Sequence, residues 1–434
     1  MTTSSAYRWV VLLFGILAYG TSHFSRQNYT GIQKFMQADF DLDRGAIGLL
    51  GASFFYAYAV FQMPWGIAAD RFGSRAMATF GMLLTALTMV GFATSQSETA
   101  LLFWRAAAGI AGAAAYVSIA GGVARWFPAN ERGLSQAAFG GMGGAVGEGA
   151  AFFLLPVLAI SFASGWRQAT NTVAIGIAVV GILCLVFLRS APPGQPGTTR
   201  VPFSWSLLSD PRLWCFSALF AGFIIGTRLS QAWISVYLGD VYASAHGYET
   251  NAAIVAGGFL ATVAFSFVGR GLGLPVAGKL SDALVMRGIS RTAVVIGWLL
   301  LSIGLFQLLS MRVTGLVLLT VIAVLVGISV NCFTLITASV SDTYGPQRTA
   351  AITGFVNMVA QLAGATALAG SGYLGQLMGS GDTDALAEYQ GIWMAGVIMI
   401  SIATAIGSVI YFATSWSRYA TAMSGPLPGE IRPT

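Results

Sequence analysis

The sequence predicts an all-α membrane protein in which twelve transmembrane helices form two pseudo-symmetric six-helix bundles. Three observations support this fold class. Hydrophobic residues make up 56% of the chain and charged residues only 9%, whereas a soluble domain carries roughly 25% charged residues. Twelve apolar segments are each long enough to cross a bilayer. One pattern of glycine and charge occurs in both halves of the chain, as expected for an internal repeat.

Six apolar segments define an N-terminal bundle over residues 1–188. They lie at about residues 9–32, 45–70, 75–95, 99–125, 132–160 and 169–188. The residues before the first segment lack the pattern of a cleavable signal, so we expect that segment to remain in the membrane.

A stretch rich in proline and glycine, at 189–212, predicts a cytoplasmic linker between the bundles. The second bundle is expected over residues 213–414. Its six segments lie at about 213–240, 252–279, 291–311, 313–342, 349–378 and 390–414. A polar tail at 415–434 is expected to lie in the cytoplasm.

A helix, a charged turn and a second helix recur at half-chain spacing. Gly66 and Asp70 are followed 212 residues later by Gly278 and Asp282. The first copy has the pattern Gly-x-x-x-Asp-Arg-x-Gly-x-Arg and resembles the loop between helices 2 and 3 of the major facilitator superfamily. The second copy resembles the same loop in the second half of those proteins. The resemblance implies a transporter whose central cavity opens alternately to the two sides of the membrane.

These turns and one further loop are expected to form a cytoplasmic gate. A carboxylate at such a turn can pair with arginines and with helix N-termini of the neighbouring bundle, which would hold one conformation. The alternative for a single copy is an ordinary solvated turn. The predicted gate residues are Asp70, Arg71, Arg75, Asp282 and Arg132.

Basic residues between the segments predict the orientation of the chain. With both termini in the cytoplasm, fourteen lysines and arginines lie on the cytoplasmic side and four lie on the other side. Those four are Lys34, Arg44, Arg167 and Arg312. We therefore expect an integral protein of a bacterial inner membrane, with cytoplasmic termini, acting as a monomer.

The composition argues against other classes of function. The net charge of +6 comes without a basic run that alternates with aromatic residues, so no nucleic-acid partner is expected. The three cysteines lie far apart in apolar segments, which predicts neither disulfides nor a metal site. The sequence contains no nucleophile–base pair and no phosphate-cradling loop, so we expect neither an enzyme nor a cofactor.

Five ionisable residues fall within the apolar segments, where each costs a few kcal/mol and is a functional candidate. They are Arg26, Arg105, Glu148, Arg228 and Arg270. Four positive groups against one negative group leave a surplus of about three positive charges, and an anionic substrate would neutralise it.

Arg26 and Arg228 lie at matching depths in segments 1 and 7, which are equivalent in the two halves. We expect them to form a clamp for an anion, because guanidinium groups bind carboxylate or phosphate oxygens in pairs. The stretch from Ser25 to Tyr29 resembles helix 1 of the anion:cation symporter and organophosphate exchanger branches, where an arginine followed by asparagine meets the substrate's acidic group. The alternatives are that Arg26 extends to the aqueous interface and that Arg228 pairs with Asp240.

Arg270 is predicted to be a substrate ligand or a counter-ion, and glycines on both sides would let a helix or ligand approach it. An arginine in helix 8 also resembles the nitrate/nitrite porters. Those proteins pair it with an arginine in helix 2, which this chain lacks, and the glycine-rich motif at 140–147 lacks their asparagine. A nitrate/nitrite porter is therefore the second hypothesis.

Arg105 and Glu148 are assigned to proton coupling. Arg105 begins an Arg-x-x-x-Gly motif that resembles helix 4 of the superfamily, and a structural or proton-coupling role is favoured over substrate contact. Glu148 is the acid within the segments, so it could take up a proton or form a permanent pair with an arginine. A substrate that competes for that arginine would couple proton uptake to anion binding.

Polar and aromatic residues are expected to complete the cavity. Those assigned to substrate binding are Tyr29, Tyr58, Gln231, Asn331 and Asn357, with Tyr56, Tyr116, Trp233, Tyr237 and Gln361 as further lining residues. The sequence thus predicts a secondary active transporter of a small organic anion, a carboxylate, coupled to protons or to a counter-anion. An efflux transporter would need several buried acids, and a transporter-like sensor would need longer tails for a partner.

Overall fold

The computed structural model describes residues 3–127, 131–189, 204–247, 250–380 and 386–423. They form twelve long helices, which confirms the predicted fold class. The helices are α1 (Thr3–Phe40), α2 (Arg44–Phe72), α3 (Ser74–Ala93), α4 (Glu98–Trp126), α5 (132–161), α6 (Gly165–Phe187), α7 (Pro211–His246), α8 (Thr250–Val285), α9 (Arg291–Leu309), α10 (Leu316–Tyr344), α11 (Pro346–Gly379) and α12 (Ala387–Met423).

Ten of these helices are long and apolar enough to cross a membrane. The other two, α1 and α4, span 38 and 29 residues. The helix α12 continues to Met423, nine residues into the predicted tail. Residues 190–203 of the predicted linker and 424–434 of the tail lie outside the described ranges, as do the side chains of Asp70, Tyr116 and Arg132.

Helices α1–α6 pack mainly with one another, as do α7–α12. Contacts between these two bundles are made chiefly by α2 with α11, by α5 with α8 and by α1 with α7. We call the end of the helices opposite the chain termini, where α1 ends and α2 begins, the distal end. The proposed division at 189–212 is compatible with this packing.

Two glycines allow the bundles to approach closely in their distal halves. A Cβ atom at Gly372 of α11 would lie 2.2 Å from the carbonyl oxygen of Arg44 in α2. A Cβ atom at Gly258 of α8 would lie 1.9 Å from the carbonyl oxygen of Phe152 in α5. Glycine is therefore required at both crossings, as is common where membrane helices pack with their backbones in contact.

Three helices depart from regular α geometry near the centre of the protein. A π-helical turn, Ala150–Leu154, begins two residues after Glu148 in α5, and a second, Thr262–Gly269, ends directly before Arg270 in α8. The sequence predicts α10 as continuous, but the structure interrupts it by a turn at 331–333. Such irregularities are frequent at functional sites.

Candidate functional site

A polar stripe on α1 faces the centre of the protein. Its spacing of three and four residues places its members on one side of the helix. All are buried: Ser22, His23, Arg26, Gln27 and Thr30. The helix therefore presents one guanidinium group and several hydrogen-bonding groups to the neighbouring helices.

Glu148 of α5 forms an ion pair across the interface between the bundles. Its Oε1 lies 2.7 Å from Nη2 of Arg270 in α8. Ser266 Oγ donates to Oε2 at 3.2 Å, and Gln231 Nε2 also donates to the carboxylate. Asn331 accepts from Nε of Arg270 at 3.2 Å, at the point where α10 is interrupted. Of the two roles predicted for Arg270, this geometry favours the counter-ion.

His23 is the histidine closest to this ion pair. Its Nδ1 lies 3.2 Å from Glu148 Oε1. Because an ionised carboxylate can only accept, Nδ1 carries the hydrogen in this contact. Gly144 provides the space for the pair, since a Cβ atom there would lie 2.6 Å from Nη1 of Arg270 and 3.7 Å from Nε2 of His23.

Arg228 lies at the middle of α7 and is only 4% exposed. Its Nη1 donates to Gln231 Oε1 at 2.6 Å, and its Nη2 and Nε donate to Gln361 Oε1 at 2.9 and 3.3 Å. Its guanidinium carbon lies 4.0 Å above the ring of Phe55 from the other bundle. Among the described residues no carboxylate lies within ion-pair distance of Arg228, so its acceptors are neutral.

Arg26 approaches the same region from α1. Its Nη2 donates to the Tyr58 hydroxyl at 2.7 Å and to Ser22 Oγ at 3.4 Å. Like Arg228, it is 4% exposed and faces the protein rather than the lipid. The next residue, Gln27, donates to Gln231, which accepts from Arg228, so Arg26 adjoins the hydrogen-bond network of Arg228.

Gln231 connects Arg228 to the ion pair between Glu148 and Arg270. Its Oε1 accepts from Arg228 and also from Gln27 Nε2 at 2.9 Å, while its Nε2 donates to Glu148. We call Gln231, Gln27, Arg228, Glu148 and Arg270, together with Asn331, Gln361 and the adjoining pair of Arg26 and Tyr58, the central cluster. Asn357 extends it, because its Oδ1 accepts from Gln361 at 3.3 Å and its Nδ2 donates to Gln62 of α2 at 2.9 Å.

Arg105 and Tyr29 lie beside the central cluster rather than in it. Arg105 donates to the carbonyl oxygens of Ser25, Arg26 and Leu50 at 2.8–3.3 Å, and to Asn28 Oδ1 at 2.8 Å. The Tyr29 ring lies 4.6 Å from its guanidinium carbon. These contacts join α4 to α1 and α2, so the geometry favours the structural role among those predicted for Arg105.

The described members of the predicted gate make contacts within their own bundles. Arg75 donates to the carbonyl oxygen of Leu185, and Arg71 is exposed beside Phe72. Asp282 pairs with Arg291 at 2.9 Å. The gate role of these residues stays a prediction.

Ion pairs at the distal end were missed by the sequence analysis, which named Lys34 and Arg44 only as basic residues on the outer side. Lys34 of α1 lies 2.9 Å from Asp240 of α7, and Arg44 of α2 lies 2.6 Å from Glu388 of α12. Tyr389 also donates to Asp240 at 2.6 Å. The two bundles are thus joined by charge at this end. The sequence has charges of both signs near the outer ends of the segments, but it does not show which of these charges pair.

The sequence matches the model of the Major Facilitator Superfamily over residues 15–367. The chain belongs to this superfamily. The predicted family is thereby confirmed, and the protein is an integral membrane secondary transporter rather than an enzyme. Its two closely apposed bundles are the parts that move against each other in such transporters.

Relatives within the superfamily carry anions according to their names. The chain is 26% identical to the chloroplastic ascorbate transporter of Arabidopsis thaliana over 66% of its own length and 54% of that protein. It is 28% identical to the probable nitrate/nitrite antiporter NarK1 of Thermus thermophilus, over 70% of this chain and 71% of the other. The match to this chain thus spans about half the length of the Arabidopsis transporter.

A solved structure of a bacterial homologue of the human lysosomal transporter Spinster, in an inward-facing and occupied conformation, has the same fold. It superimposes with a TM-score of 0.74 at 18% identity, covering 94% of this chain and 97% of the other. At this identity the likeness establishes the major facilitator fold alone.

Proposed function

We propose that the protein transports a small organic anion, a carboxylate, by alternating access, and that the anion binds to Arg228 and Arg26 in the central cluster. The observation that carries this proposal is the environment of Arg228. It lies at mid-depth of α7, is almost fully buried, and donates to amide oxygens of Gln231 and Gln361. A carboxylate would supply the negative charge that those amides lack.

The charge of the central cluster supports an anionic substrate. Its described members include three guanidinium groups, those of Arg26, Arg228 and Arg270, and one carboxylate, that of Glu148. Because burying net charge away from water is costly, an arriving anion gains from neutralising the surplus. The planar guanidinium of Arg228 can donate two parallel hydrogen bonds to a carboxylate in place of an amide oxygen.

The ion pair between Glu148 and Arg270 offers a means of coupling. A proton on Glu148 would weaken its hold on Arg270 and raise the positive charge next to Gln231 and Arg228. Anion binding and protonation would then favour each other, which gives symport with a proton. A second anion that takes the place of the first at Arg228 would give exchange.

The orientation follows from the positive-inside rule. The four basic residues at the distal end, against fourteen at the other, support cytoplasmic termini in a bacterial inner membrane. The distal ion pairs would then close the outer side of the protein. The structure would then represent a conformation that is closed towards the outside of the cell.

The names of the relatives support an anion but leave its class open. A nitrate porter is the second candidate, supported by the position of Arg270 in α8 and by the similarity to NarK1. The contact between Arg270 and Glu148 favours the organic anion, because this arginine already has a counter-ion.

Flux measurements test the proposal. Vesicles that contain the reconstituted full chain should take up ascorbate, D-glucarate or both. Nitrate and inorganic phosphate are added as competitors, to distinguish inorganic from organic anions as the substrate class. Replacing Arg228 or Arg26 by alanine should lower the uptake rate by about 100-fold, since each charge-assisted hydrogen bond contributes roughly 1.5–3 kcal/mol. Arg228→Lys should restore part of the rate, and Arg312→Ala, outside the central cluster, serves as the control. Absence of anion flux, or wild-type flux in both alanine variants, would overturn the proposal.

A further inference from the structure

A cavity of about 160 Å³ lies between the bundles in their distal halves. It is lined from the first bundle by Thr30 and Lys34 of α1 and Phe152 of α5, and from the second by Ser235 and Asp240 of α7 and Ile254 of α8. We call it the distal cavity. Its volume is sufficient for several water molecules or for a small anion.

Lys34 supplies a cation to the distal cavity, and its contact with Asp240 is exchangeable. Lys34 Nζ lies 2.9 and 3.1 Å from the two carboxylate oxygens of Asp240. Asp240 has other partners, because it accepts from the Tyr389 hydroxyl and lies 3.8 Å from Arg44. Asp240 would therefore remain neutralised if Lys34 turned towards a ligand. A ligand that takes the place of Asp240 beside Lys34 must be negatively charged.

Ser235 adds a hydrogen-bond donor with no described partner. Its side chain is 6% exposed, it lines the distal cavity, and its Oγ makes no hydrogen bond within the described structure. A buried hydroxyl without a partner is costly and uncommon in a folded protein. A ligand oxygen in the distal cavity would satisfy it.

The distal cavity is connected to the central cluster through α1. Thr30, which lines the cavity, donates to Gln27 Oε1 at 3.4 Å. Gln27 in turn donates to Gln231 at 2.9 Å, and Gln231 accepts from Arg228. Polar groups therefore extend from Lys34 to the arginine that is proposed to bind the substrate.

We propose that the distal cavity is a second anion-binding site, in which the Lys34 ammonium and the Ser235 hydroxyl hold the substrate anion before it reaches Arg228. The anion replaces Asp240 as the partner of Lys34, so its arrival also removes one ion pair that joins the bundles. This inference rests on the proposed function, because it assigns a second site to the same anion.

The test measures the apparent KM and the maximal rate separately, for uptake of D-glucarate, ascorbate and nitrate by vesicles with the full chain. Lys34→Gln should raise KM about tenfold and Ser235→Ala about threefold, with smaller effects on the maximal rate. Asp240→Asn should lower KM, because Lys34 then lacks a competing carboxylate. Lys34→Arg keeps the charge and should rescue most of the KM effect.

Two control variants distinguish an anion-binding site from an ion pair that only joins the two bundles. Ser230→Ala removes another buried hydroxyl of α7, one that has no partner among the described residues and does not line the cavity, and should leave KM unchanged. Glu388→Gln breaks the neighbouring pair with Arg44 and should change the maximal rate rather than KM. If Lys34→Gln and Asp240→Asn shift KM in the same direction, or Ser235→Ala behaves like Ser230→Ala, the second site is refuted.

Failure of the second site is distinguishable from failure of the proposed function. Anion uptake that depends on Arg228 but is insensitive to Lys34 and Ser235 would remove the distal site alone. If none of the anions is carried by the unmodified chain, the proposed function fails. The distal site then fails with it, since its ligand is defined as the transported anion.

Discussion

Glu148 of α5 and Arg270 of α8 form an ion pair of 2.7 Å that joins the two bundles at the centre of the protein. The pair is separated by 122 residues in sequence, and a π-helical turn adjoins each partner. Gln231 links this ion pair to Arg228. Among the described residues, the carboxylate of Glu148 therefore pairs with Arg270, whereas the acceptors of Arg228 are neutral.

Replacing Glu148 by glutamine should uncouple anion movement from the proton gradient. The amide keeps the shape of the side chain but cannot change its charge, so Arg270 loses its counter-ion at every pH. We expect exchange of internal for external anion to continue, while uptake driven by a pH gradient falls at least tenfold. Both are measured in the same vesicles, and uptake that still follows the pH gradient in Glu148→Gln would exclude this residue as the proton carrier.

Replacing Gln361 by glutamate should abolish anion binding without unfolding the protein. The new carboxylate would accept from Nε and Nη2 of Arg228, where the amide oxygen now accepts at 3.3 and 2.9 Å. It would provide a fixed counter-charge for the proposed substrate ligand, and we expect uptake to fall more than 100-fold with an unchanged or raised Tm.

Gln361→Leu is the matched control for that experiment, because it removes the amide without adding charge. It should retain more uptake than Gln361→Glu. Equal uptake by wild type and Gln361→Glu would mean that neutralising Arg228 does not matter for the substrate.

Replacing Arg105 by alanine should lower stability more than it changes anion affinity. Four buried acceptors on α1 and α2 would lose a charged donor, and each hydrogen bond to a charged group contributes roughly 1.5–3 kcal/mol. We expect a lower Tm in detergent and a KM within about threefold of wild type for the protein that remains folded. A large rise in KM with normal Tm would instead place Arg105 in substrate binding.

Replacing Gly258 by alanine should shift the protein away from the conformation described. The added methyl group would lie 1.9 Å from the carbonyl oxygen of Phe152, so α5 and α8 must separate. The labelling uses a chain in which the three native cysteines are replaced by alanine and Ala243, which also lines the distal cavity, by cysteine. We expect this cysteine to react faster with a membrane-impermeant maleimide in Gly258→Ala than in the chain with Gly258.

Gly271→Ala in the same helix is the control, because a Cβ atom there meets no atom within 4 Å. It should leave the labelling rate at Ala243→Cys unchanged. Equal rates in the two glycine variants would show that the crossing at Gly258 does not hold the distal end closed.

The sequence by itself determined the fold class, the family and the depth of the buried charges. Hydropathy, segment length and each copy of the repeated turn, at Asp70 and at Asp282, depend on residues close together in the chain. They can therefore be recognised without knowledge of the tertiary structure. Most of the residues assigned to substrate binding, among them Arg26, Arg228 and Gln231, also meet in the central cluster, because polar groups at mid-depth have few places to lie other than the protein interior.

Only the tertiary structure decided which charges pair. Glu148 was recognised as the buried acid, but its partner depended on how α8 is rotated against α5. Asp240 had been considered as a partner for Arg228 on its own helix, yet it pairs with Lys34, 206 residues away. Arg44 and Glu388, 344 residues apart, could not be paired from sequence at all. Such contacts depend on the rotation and depth at which helices pack, and hydropathy along one helix does not encode how that helix faces another.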